Sequence, residues 1–124
     1  LLGAELKKNA ARRVGLAWMG ANFSVTDNLG PCQHGTDSKA FYYYYLYALE
    51  RSGMLLDLPQ IGARDWYAEG VKVLLPAQRP DGVWTVGDAY MHHLPAWDTC
   101  YAILFLKRAT RPLVASEDPS KKSR

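Results

Sequence analysis

At 124 residues, with 48% hydrophobic and 22% charged side chains, the chain has the composition of one globular domain with one core, which argues against wholesale disorder. Its formal charge of +3 is scattered, with local density only at Lys7, Lys8, Arg12 and Arg13 and at Lys121, Lys122 and Arg124. On a helix Lys8 and Arg12 share a face with Glu5, the pattern of a solvated surface rather than a nucleic-acid patch. No apolar run reaches the roughly 18 residues that span a bilayer, so no transmembrane segment is expected.

Four helical segments separated by turns are predicted, and no period-2 strand, which makes the class all-α. The first, about Glu5 to Ala21, places Leu6, Ala10, Val14, Ala17 and Trp18 on one apolar stripe. The chain opens at Leu1 inside what reads as a helix already under way, the mark of a piece of a longer protein. Asn22 to Gly35 is rich in turn formers. The second segment starts near Thr36, Asp37 or Ser38, any of which suits an N-cap, and ends at Gly53, read as the left-handed residue that follows a helix. From Phe41 to Leu49 it is apolar or aromatic all round, so it needs neighbours on every side.

The third segment opens at Asp65, with Asp65, Glu69 and Lys72 as a polar stripe opposite Trp66, Gly70, Val73, Leu74 and Ala77. Pro76 removes a ladder hydrogen bond near its end and predicts a bend there. The fourth, capped by Asp98 and running to about Ala109, is again apolar all round. Residues 114–124 have little to bury and read as a disordered C-terminal tail.

Amphipathic and all-apolar helices thus alternate, as two concentric layers require. A shift of 57 residues sets Tyr44, Leu49 and Arg51 on Tyr101, Leu106 and Arg108, and a shift of 55 sets Gly15 on Gly70. A period in the fifties is one helical hairpin per repeat, and each hairpin needs a neighbour. Two hairpins alone therefore predict exposed apolar edges or further repeats.

The stretch Glu69 to Trp84, a helix followed by Gln78-Arg79-Pro80-Asp81-Gly82-Val83-Trp84, resembles the QW repeat of squalene-hopene and related triterpene cyclases and of prenyltransferase and squalene-oxidase repeat proteins. Tyr43 to Leu55 and Asp98 to Pro112 are similar to the same proteins. The resemblance implies two helical hairpins of an α/α-toroid over residues 1–113, whose remaining repeats belong to a longer chain and whose inner helices line an apolar, isoprenoid-type cavity. Gln78, Gly82 and Trp84 are structural in that reading: Gln78 satisfies helix-end groups, Gly82 takes a turn with positive φ, and Trp84 covers the junction.

Triterpene cyclases protonate substrate from an Asp-x-Asp-Asp-Thr run, which does not occur here; Asp98 is the nearest candidate catalytic acid, with an N-cap as its structural reading. Site and cavity candidates are His34, Asp37, Phe41, Tyr42, Trp97 and Tyr101, near the starts of the inner helices. No cofactor is expected. The alternative is zinc, because Asp98-x-Cys100-Tyr101 resembles the ligand segment of the protein prenyltransferase β subunit, with His92 and His93 nearby. An apolar isoprenoid or lipid is the implied partner, and the competing reading is a non-catalytic scaffold that binds protein or lipid.

Overall fold

The computed structural model describes residues 9–28, 39–86, 94–108 and 110. The described part is all-α, with helices α1 (Ala10–Ala21), α2 (Tyr42–Leu55), α3 (Trp66–Ala77) and α4 (Pro95–Lys107) and no strand. Two backbone hydrogen bonds between Ile61 and Arg64 close a tight turn ahead of α3, with Gly62 at φ 61°.

Local chemistry starts and stops these helices. The side chain of Asn9 accepts from the Arg12 amide (3.1 Å), and that of Asp65 accepts from the Ala68 amide (2.9 Å), each satisfying one orphan donor of a first turn. α2 has no such cap. It begins at Tyr42 behind Phe41, which sits in the left-handed region at φ 54°. The expected caps Thr36, Asp37 and Ser38 lie outside the described residues, and the helix starts four positions beyond the last of them. Gly53 does not end α2 either: it is a buried residue within the helix, and the left-handed residue beyond is Asp57 (φ 51°). α4 begins three residues before the expected cap, so Asp98 is a buried first-turn residue and Leu94 occupies the N-cap position. Pro76 falls one residue before the end of α3, so the Lys72 carbonyl loses its ladder donor and the helix stops one residue later.

Two helices run parallel and the third lies antiparallel behind them. Tyr44 and Tyr47 meet Tyr101, while Met54 meets Arg108, so α2 and α4 advance side by side in the same direction. α3 reverses, since Trp66 at its start packs on Phe105 near the end of α4, and Leu74 near its end receives Trp84. α2 packs most extensively on α4 and less on α3.

Two glycines allow this close approach. A Cβ on Gly53 would lie 2.4 Å from Trp66 Cε2, and one on Gly70 would lie 2.2 Å from Phe105 Cζ, so each is a slot for a ring from a neighbouring helix. Trp66, Phe105, Leu46, Ile61 and Leu74 form the sealed centre of the core. The ring edges are also satisfied: Trp66 Nε1 donates to the Leu58 carbonyl (2.7 Å) and the Tyr67 hydroxyl donates to the Leu106 carbonyl (2.8 Å).

α1 departs from expectation. It has no buried residue, and its apolar stripe faces solvent, with Val14 71% and Trp18 60% exposed. Its half-buried side is instead Arg12, Leu16, Met19 and Gly20, and Gly20 lies against Gly62. The stripe has the right period, but α1 presents its other side to the body. Leu6 and residues 114–124 lie outside the described residues. No helix among the described residues is long and apolar enough to cross a membrane.

Candidate functional site

The tyrosine run at the start of α2 divides by direction. Tyr42 and Tyr45 donate their hydroxyls to the carbonyls of Val25 (2.6 Å) and Ser24 (2.8 Å), and so clip the connection after α1 onto the helix. Burial pushes the Tyr42 and Tyr45 phenols up. Tyr43 is buried as well, and burial, reinforced by the Asp98 carboxylate, pushes its phenol up to about 12. Tyr44 points the opposite way and is 53% exposed.

Around Tyr44 an aromatic series crosses from α2 to α4. The Tyr44 ring meets the edge of Tyr101 at 5.5 Å, and Tyr101 stacks on Tyr47 at 5.2 Å. Arg51 continues the series: its guanidinium lies over the Tyr47 ring at 5.6 Å and donates to the Tyr47 hydroxyl (3.0 Å). Tyr44, Tyr47, Ala48, Arg51, Ser52 and Leu55, with Leu56, line an open groove of about 500 Å³. Trp97, 63% exposed, stands one turn before Tyr101.

The helices expose equivalent rows. On α2 the open row is Tyr44, Ala48, Arg51 and the half-buried Leu55; on α4 it is Ala96, Cys100, Ile103 and Lys107. Both follow the spacing i, i+4, i+7, i+11 that defines one side of a helix. Among the described residues neither helix is therefore covered on every side, contrary to its all-apolar sequence.

The turn after α3 is built from the three motif residues, with roles partly exchanged. Gln78 Nε2 donates to the Gly82 carbonyl (3.0 Å), closing the turn on itself, and Gly82 has φ 86°. Trp84 is what satisfies the helix end, its Nε1 donating to the Leu74 carbonyl (2.8 Å). The Trp84 amide also donates to Thr99 Oγ1 (3.1 Å), which ties the turn to the first half of α4.

Of the expected site residues, Trp97 and Tyr101 belong to the exposed face, while Tyr42 is buried in the core and bonded to Val25. Phe41 is 45% exposed at the start of α2. Asp98 is buried on the core side of α4 and Cys100 is exposed. No group of three His, Cys, Asp or Glu residues gathers among the described residues. His34, Asp37, His92 and His93 lie outside them.

Three residues were not among the sequence's site candidates: Tyr47 and Arg51, which extend the face, and Glu50, which is fully buried. Glu50 accepts the Thr110 amide (3.1 Å) and the Thr110 hydroxyl (2.7 Å), fastening the chain beyond α4 onto α2. Arg51 and Lys107 carried a usable signal, since a cation in an otherwise apolar helix marks its wet side. Glu50 and Asp98 carry the same signal falsely, because both are turned inward. Compared with family models, curated proteins and solved structures, the chain matches none.

Proposed function

We propose that these helices are two hairpins of an α/α-toroid of the terpenoid-cyclase and prenyltransferase type, in which the open rows of α2 and α4 line an apolar cavity for an isoprenoid-type ligand. The observation that carries the reading is the aromatic series Tyr44, Tyr101 and Tyr47, which bridges two parallel helices on a face that nothing in the described chain covers. The antiparallel α3 behind that pair and the Gln78, Gly82 and Trp84 turn support the same arrangement of inner and outer helices. Aromatic faces suit an isoprenoid because they contribute apolar area and attract positive charge in any carbocation formed beside them. In this reading the segment supplies cavity wall, and the reacting acid lies elsewhere in the toroid.

One observation favours a second reading, a non-catalytic scaffold that binds lipid or protein on the same face. Both carboxylates of the two lining helices, Glu50 and Asp98, are buried away from that face. Incubating the full-length protein with squalene and with prenyl diphosphates separates the two: turnover establishes the enzyme, and ligand binding without turnover establishes the scaffold. If neither ligand binds, the cavity reading fails.

A further inference from the structure

We propose that α1 is a self-association surface, its solvent-facing stripe packing antiparallel, about a two-fold axis, on the same stripe of a second copy of this chain. α1 meets the body through Met19 and Gly20 on its other side, so Val14 and Trp18 stay among the most exposed large apolar side chains of the described residues. Ala10, Val14, Ala17 and Ala21 form one exposed row at i, i+4, i+7 and i+11, and Ala11, Gly15 and Trp18 form a second beside it. Neither row holds a charge.

The two rows complement themselves. When a second α1 is laid antiparallel with its midpoint opposite, Val14 comes opposite Ala17 and Ala10 opposite Ala21 in both directions, the reciprocity that a two-fold contact requires. The same register sets Trp18 between Ala11 and Gly15 of the second copy. Gly15 has nothing within 4 Å of where a Cβ would stand, so that notch is open. An indole laid into it interdigitates large with small, and buries a ring that is otherwise mostly in water. Charge selects the antiparallel sense. α1 carries Arg12 and Arg13 in its first half and no acid, so a parallel pair would bring the cations together, whereas an antiparallel pair separates them and sets Arg13 toward the C-terminal half of the other helix. A bilayer is a poorer match, because a row of three alanines and one valine has little apolar area to insert. With 12 residues α1 is about 18 Å long, so the contact falls below the roughly 1,200 Å² of a stable interface and forms at high protein concentration rather than low.

Sedimentation equilibrium of the full-length protein over a wide concentration range tests this. A monomer–dimer equilibrium is expected, and Trp18→Ala should weaken it about tenfold or more, because each contact loses two tryptophans. Gly15→Gln fills the notch, keeps the indole, and should weaken association as well; circular dichroism matching the parent shows that both variants are folded. Register is read from a mixture. Val14→Lys and Ala17→Glu each weaken association alone, and together they should form a heterodimer in which the introduced cation and anion face each other. Tyr44→Ala and Trp97→Ala, on the face of α2 and α4, should leave association unchanged. A parent protein that stays monomeric at every concentration overturns the proposal, including one whose α1 binds vesicles or another protein instead. So does a dimer that survives Trp18→Ala, one that Tyr44→Ala abolishes, or a mixture with no preference for the heterodimer.

Discussion

Gly70→Ala isolates the packing of α3 against α4. The added methyl carbon would sit 2.2 Å from Phe105 Cζ and 2.6 Å from Cε1, where carbon atoms pack at about 3.5–4.0 Å, so the ring or the helix has to move by more than about 1 Å. Phe105 has no free space to move into: it is fully buried, edge-on to Trp66 at 5.9 Å and stacked on Tyr67 at 5.9 Å. Overpacking of this kind costs about 1–3 kcal/mol, and alanine returns about 1 kcal/mol of helix propensity, so the net destabilisation is about 0–2 kcal/mol. With a urea dependence of about 1–3 kcal/mol/M, the unfolding midpoint falls by up to about 2 M, read by circular dichroism. Gly15→Ala is the matched control, because Gly15 has nothing within 4 Å and takes the propensity gain alone. Combining Gly70→Ala with Phe105→Leu should recover part of the loss, as contacting residues couple. A Gly70→Ala midpoint equal to or above that of the Gly15→Ala control would refute the slot.

Trp84→Phe keeps the ring and removes the N–H that satisfies the Leu74 carbonyl, and should cost about 1–3 kcal/mol in chemical denaturation. Thr110→Val removes the hydroxyl that donates to Glu50, a fully buried carboxyl group, with an expected loss of about 1–3 kcal/mol and faster amide exchange at the C-terminal end of α4. Tyr43 gives a pH dependence of definite sign. Its phenol titrates higher in the fold than the usual value near 10, so its contribution is complete below that value and is lost as pH rises toward about 12. Ultraviolet titration of phenolate should show Tyr42, Tyr43 and Tyr45 ionising late, with Asp98→Asn moving Tyr43 down by less than unfolding does.

The helices were legible in the sequence because their signals are local. Asp65 caps α3 as its position before an amphipathic run requires, and the four segments recur in order. Direction was harder to read. The stripe Ala10, Val14, Ala17 and Trp18 has correct helical spacing, yet periodicity says which residues share a side and not which neighbour that side meets. Gly53 reads as a stop because glycine favours left-handed backbone, whereas here it is needed for its missing Cβ under Trp66. Two uniformly apolar helices likewise conceal their open rows, and only the placement of α3 and of the Tyr47 and Tyr101 stack reveals which side remains uncovered. On the exposed face of α2 and α4, the sequence names Trp97 and Tyr101, while Tyr47 and Arg51 required the register of α2 against α4.

The central claim is that the aromatic face of α2 and α4 holds an isoprenoid chain. Retention of radiolabelled squalene by the full-length protein tests it most directly, compared with the surface variants Tyr44→Ala and Trp97→Ala and with Val14→Ala on the exposed stripe of α1. The account predicts saturable retention that the Tyr44 and Trp97 variants reduce and the Val14 variant leaves intact. Retention that is absent, or equal in all four proteins, would contradict it.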